Sequence, residues 1–143
     1  MPHLIVHATE EQLAGRESAL ISTLTDTVAQ VYGEWARELV VVQLLALPAG
    51  RWGVGGRAVD NPPPIVTFAI REIALNRPDG PRIVERLAAD VTDAVARVLG
   101  AELRAGVLVE FRPQHDDRTA LGGRLIGAIE QPAEIRTPTD AQG

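Results

Sequence analysis

The sequence predicts an α/β (α+β) chain in which two fused β-α-β units form one four-stranded sheet with two helices on one face. Three observations predict it. The chain repeats itself: Val31-Tyr32-Gly33 returns as Val98-Leu99-Gly100, Arg37 as Arg104, Val40-Val41-Val42 as Val107-Leu108-Val109, and Gly55-Gly56 as Gly122-Gly123, each 67 residues later. Each copy reads strand, helix, strand and Gly-Gly turn, with short β-branched runs separated by a segment of helical periodicity. A strand-helix-strand passage this short makes a right-handed crossover between parallel strands. The units divide at 1–62 and 63–127, followed by a tail over 128–143, and together make one domain.

The first strand is expected over 3–8 and the third over 65–72, both apolar and β-branched. Helix one runs over 15–32, with Leu20, Ile21, Leu24, Val28 and Val31 as its apolar stripe. Gly33 caps it in the left-handed conformation, and Gly100 does the same for helix two over 81–99. That helix carries Ile83, Val84, Leu87, Val91, Val95 and Val98 on its apolar side, and Pro81 sits in its first turn, where a missing N–H costs nothing. Strands two and four are expected over 39–45 and 106–112, as nearly continuous apolar runs. Arg37 and Arg104, just past the helices, are placed to meet C-terminal carbonyls. With both helices on one face, the other face is expected to be apolar and uncovered, which calls for self-association.

Composition excludes several classes. Hydrophobic residues at 45% rule out a disordered chain, and aromatics at 3% make the core aliphatic. A net charge of −5 with no basic block argues against a nucleic-acid partner. The absence of cysteine removes disulfides and thiolate metal sites and fits a cytoplasmic protein. No apolar run is long enough for a membrane span, so no membrane partner is expected. His3 and His7 share a strand face without a third ligand of suitable type, so no metal is expected. The Gly-rich stretch 50–56 lacks the Lys-Ser/Thr ending of a phosphate loop.

Pro2 opens the first strand. An initiator Met before a small residue is normally removed, which would leave a secondary amine at the terminus. Such an amine titrates near ~8, and apolar surroundings lower it by disfavouring the charged form, toward the range where a general base works at neutral pH. Pro62, Pro63 and Pro64 open the third strand similarly, but their nitrogens are acylated, so one site per chain is expected.

Pro2, the duplication and the turn Pro48-Ala49-Gly50-Arg51-Trp52-Gly53-Val54-Gly55-Gly56 together resemble the tautomerase superfamily over residues 2 to about 127. The type is 4-oxalocrotonate tautomerase-like, in a fused trimeric branch that includes cis-3-chloroacrylic acid dehalogenase and malonate semialdehyde decarboxylase. The resemblance implies a homotrimer without cofactor, in which Pro2 shuttles a proton, Arg71 and Arg77 bind a substrate carboxylate, and Trp52 walls the pocket beside Pro2. Guanidinium suits that task because its planar fork matches a carboxylate. The dehalogenase pattern fails at Ala74, where a second arginine stands in that branch, at Val28, at Glu110 and near Ala120.

Glu110 interrupts strand four, with Gln43 at the same place in the first copy; a pocket role beside the substrate and a subunit interface are the two readings. His115-Asp116-Asp117 reads as a polar turn. The function implied is keto-enol isomerisation of a small 2-oxo or enol carboxylic acid. Decarboxylation or hydration/dehalogenation of a small three-carbon acid, or a non-catalytic trimeric binding protein, are the alternatives.

Overall fold

The computed structural model describes residues 2–129. Met1, and the part of the expected tail from 130 to 143, lie outside the described residues. The first unit comprises β1 (His3–Thr9), the short α1 (Glu10–Leu13), α2 (Glu17–Tyr32), a 3-10 segment (Glu34–Leu39) and β2 (Val41–Leu47). A two-stranded hairpin follows, β3 (Gly53–Val54) and β4 (Arg57–Ala58). The second unit repeats the plan with β5 (Ile65–Arg71), α3 (Glu72–Leu75), α4 (Gly80–Leu99), a 3-10 segment (Ala101–Gly106) and β6 (Leu108–Gln114). Its hairpin is β7 (Ala120–Leu121) and β8 (Arg124–Leu125), closed by a 3-10 turn (Ile126–Ala128).

The main sheet has the order β2-β1-β5-β6. β1 pairs parallel with β2, β5 parallel with β6, and the two units meet where β1 pairs antiparallel with β5. Strand alternation sends Leu4, Val6, Ala8, Val66, Phe68 and Ile70 to the helix side, where they are buried. Leu20, Leu24 and Val28 of α2 and Leu87, Val91 and Val95 of α4 close over them, and Phe68 meets Phe111 at 5.5 Å between ring centroids.

Several expectations need correction. Strands two and four each begin and end two residues later than expected, because the preceding 3-10 turns take residues that read as strand. Gly33 and Gly100 do end their helices at positive φ, 115° and 145°, but with extended ψ, which starts the 3-10 turn in place of a left-handed cap. Ile21 lies off the buried stripe and is 40% exposed. Arg37 and Arg104 do not turn to helix carbonyls. Arg37 pairs with Asp26 and Glu34, and Arg104 with Asp93, so the repeat extends to an ion pair.

The open face of the sheet is not uniformly apolar. Leu45, His7, Ile65 and Leu108 form one row across it; Gln43, Ile5, Thr67 and Glu110 the next; Val41, His3, Ala69 and Arg112 the third. Gln43 Oε1 accepts from His3 Nε2 at 2.9 Å, and Arg112 pairs with Glu110 at 3.4 Å.

One buried polar side chain anchors the connection between the units. Thr9 and Gln12 form a reciprocal capping box at α1, with Gln12 N donating to Thr9 Oγ1 at 3.1 Å and Thr9 N to Gln12 Oε1 at 3.0 Å. The Gln12 amide then donates to Asn61 Oδ1 at 2.9 Å and to the Pro62 carbonyl at 2.7 Å, holding the connection that leads into β5. Gln12→Ala removes both donations and the box, and strands a buried carbonyl. Urea unfolding should show a loss of about 2–4 kcal/mol with native secondary structure retained; a change below about 0.5 kcal/mol would show that the network carries no stability.

Candidate functional site

The pairing of β1 with β5 decides which residues share an end of the sheet. His3 pairs with Ala69, so Pro2 stands across from Ile70, next to the end of β5 that carries Arg71. The Pro2 carbonyl accepts from Val41 N at 3.0 Å, which ties the residue to the start of β2 as well. β6 runs parallel to β5, with Arg71 across from Gln114, so the turn after β6 reaches the same end.

Arg71 is largely buried, its side chain 13% exposed, and its Nη2 donates to Asp116 Oδ1 at 2.8 Å. Its Nε is buried without a hydrogen-bond partner among the described residues. Glu72, the next residue, receives His115 Nδ1 at 3.2 Å. The polar turn His115-Asp116-Asp117 is therefore part of the Pro2 end, a connection the sequence reading missed. The signal for it lay in the strand order, since only the β5–β6 pairing brings position 116 to position 71.

Arg77 is engaged by a different carboxylate from Arg71. It lies between α3 and α4, is held by Asp79 at 3.0 Å and sits beside Tyr32 at the end of α2. Matching β1–β2 to β5–β6 sets His3 equivalent to Ile65, 62 positions on, whereas the later segments match 67 positions on. One of the five extra residues lies in the connection 76–79, which holds Arg77, and the other four lengthen the start of α4. Burial pushes the Tyr32 phenol up to about 12; the nearby Arg77 works against that rise and Asp79 with it. The Trp35 ring stands edge-on to Tyr32, with centroids 6.5 Å apart.

Trp52 lies at the opposite end. It precedes β3 in the hairpin after β2, and β2 ends at Leu47 across from Thr9. With Thr9, Glu10, Pro48 and Asp60 it lines a pocket of about 130 Å³. Seven strand residues separate that end from Pro2, roughly 20 Å at ~3.3 Å per residue. Strand direction therefore keeps Trp52 away from the Pro2 of its own chain. Gln43 and Glu110 fall on the open sheet face, in the row of Ile5 and Thr67, engaged with His3 and Arg112.

Comparisons with known proteins follow this geometry. No family model and no curated protein matches the chain. Among solved structures it is similar to F6 fused 4-OT, a wild-type asymmetric trimer, at 25% identity and a TM-score of 0.76, covering 88% of this chain and 97% of that one. It is similar to Pt0534 inactivated by 2-oxo-3-pentynoate, at 19% identity and a TM-score of 0.74 over 90% and 99% of the two chains. It is also similar to N1, a member of the cis-3-chloroacrylic acid dehalogenase family, at 22% identity and a TM-score of 0.71 over 98% and 95%. Among the described residues no helix is long and apolar enough to cross a membrane.

The chain has a single tyrosine, so the tyrosinate absorbance reports Tyr32 alone. Because the fold raises this pKa from 10 to about 12, it favours the neutral phenol. That contribution to stability is whole below pH 10 and is lost as the pH rises through 12. Spectrophotometric titration of the folded protein should give a midpoint well above that of the urea-denatured chain; equal midpoints would mean an exposed ring.

Proposed function

On the premise that the chain has the tautomerase-superfamily fold in its fused branch, we propose that it is a cofactor-independent tautomerase of a small 2-oxo or enol carboxylic acid. One observation carries the proposal: the register of the central strand pair sets Pro2 at the end of the sheet that holds Arg71. Once Met1 is removed, the Pro2 amine takes a proton from the enol and returns one to carbon next to the carbonyl. Arg71 binds the substrate carboxylate, and the largely buried setting of its side chain strengthens that pairing.

Trp52 enters this scheme only from another copy of the chain, because its own Pro2 lies at the far end of the sheet. Homotrimeric assembly accords with the fused 4-OT trimer and with exposed Val41, Leu45 and Leu108 on the open face. Gln43 and Glu110, in the middle row of that face, then serve subunit contact, and Arg77 serves as a structural partner of Asp79. The two repeats act as one catalytic domain.

A second reading is hydration or decarboxylation. Asp116 favours it by bringing a carboxylate to the Pro2 end, where Ala120 had offered none. Its engagement with Arg71 leaves it poorly free to activate water, so isomerisation is the preferred reading.

Protein of verified mass without Met1 should convert an enol acid to its keto form, with a pH profile that rises as the amine loses its proton. Pro2→Ala, which keeps a primary amine, should retain part of the activity, and an N-terminal tag should abolish it. Undiminished turnover in tagged protein would eliminate Pro2 as the base. Arg71→Ala should lower kcat/KM for a carboxylate substrate by about 10- to 150-fold, from the ~1.5–3 kcal/mol of a charge-assisted hydrogen bond, while the fold persists.

A further inference from the structure

We propose that Asp116 is a specificity-determining residue of the Pro2 end: by holding one edge of the Arg71 guanidinium, it restricts the site to substrates with a single carboxylate. This rests on the reading of Arg71 as the carboxylate-binding residue. Arg71 carries five N–H donors, and Asp116 takes one through Nη2 at 2.8 Å. The orphaned Nε marks a guanidinium that is not saturated. It has donors for one more carboxylate.

The position of Asp116 is built. Arg118 N donates to the His115 carbonyl at 3.1 Å, closing the turn around it. Gly127 N approaches the Asp116 carbonyl at 3.5 Å, and a Cβ on Gly127 would come within 3.0 Å of the Asp116 Cβ. The 3-10 turn after the second hairpin therefore packs directly on Asp116. This fixes its carboxylate toward Arg71, which a free surface loop would not do.

The charges around it set the selectivity. Arg77 is matched by Asp79 at 3.0 Å, and Glu72 receives His115 at 3.2 Å. Arg118, in the same turn, pairs with Asp117 at 3.3 Å. Arg71, Arg77 and Arg118 each already face a carboxylate. A substrate with one carboxylate shares Arg71 with Asp116 and adds no further anion. A dicarboxylate brings a second negative charge to an end that already holds Asp116, Glu72 and Asp117, and like charges brought together weaken binding.

The test uses two five-carbon probes that differ only in the terminal carboxylate, 2-oxopentanoate and 2-oxopentanedioate, with the full chain lacking Met1. Calorimetric titration should show the monoacid binding about tenfold more tightly in the wild type. Asp116→Asn should bring the two affinities to within about threefold, mainly by tightening the diacid, and Asp116→Glu should restore the gap. A wild type that binds the diacid equally or better, or binds neither, overturns the proposal, and this arm stands even if Asp116→Asn fails to fold. An unchanged ratio in folded Asp116→Asn also overturns it. Deuterium exchange at C3 of 2-oxopentanoate, followed by NMR, reads the proton shuttle separately. Exchange with no difference between probes defeats the selectivity alone; selective binding without exchange supports the Asp116 assignment and counts against Pro2 as the base.

Discussion

The antiparallel pairing of β1 with β5 governs the rest of the molecule. Each β-α-β unit has only two parallel strands and one long helix, too little to close a core on its own. Joined through β1 and β5, the two units bring both long helices over one continuous sheet and bury Leu4, Val6, Val66 and Phe68 between them. Because side chains alternate, a slip of one residue would turn that set out to solvent. The hydrophobic penalty for such a slip fixes the register. The register in turn sets Pro2 at the Arg71 end, so the packing of the core and the location of the chemistry have one cause.

The two ends of the sheet are matched in backbone and opposed in chemistry. Thr9 and Arg71 hold equivalent positions at the ends of β1 and β5, as do Pro2 and Pro64 at their starts: the Pro2 carbonyl accepts from Val41 N and the Pro64 carbonyl from Leu108 N. At the Thr9 end Thr9, Gln12, Asn61 and the Pro62 carbonyl satisfy one another, and Pro64 is fully buried. At the Arg71 end Ala74 stands where Gln12 does, no capping box forms, and the cation turns instead to the loop after β6. A closed network suits structure, whereas a partly unsatisfied cation at a strand end suits a ligand.

Much of this was legible from the residues. The constant spacing of Gly33 with Gly100 and of Gly55-Gly56 with Gly122-Gly123 announced the duplication, and helical periodicity located α2 and α4. The 3-10 turns were not legible, because Leu39-Val40 and Gly106-Val107 adjoin strand-like residues and a six-residue turn has no period of its own to detect. Strands two and four are nearly continuous apolar runs in sequence, which makes the open face look apolar; only pairing shows which residues share a row. Trp52 and Asp116 show the same limit in opposite senses. Strand direction puts Trp52 at the end away from its own Pro2, while strand order brings Asp116, which reads as part of a turn, to Arg71.

The duplication also gives the chain an internal control. The Asp26–Arg37 and Asp93–Arg104 pairs, and the two hairpin closures from Val59 N to the Trp52 carbonyl and from Ile126 N to the Thr119 carbonyl, occur in both halves. These are demands of the architecture, since each half meets them independently. Pro2 against Pro64, Arg71 against Thr9, and the extra stretch around Arg77 are points at which one backbone plan tolerates two solutions. A substitution can thus be judged against its counterpart in the same molecule, with temperature, solvent and preparation identical. Equal effects in the two halves measure the scaffold, and unequal effects measure what one half has been recruited to do.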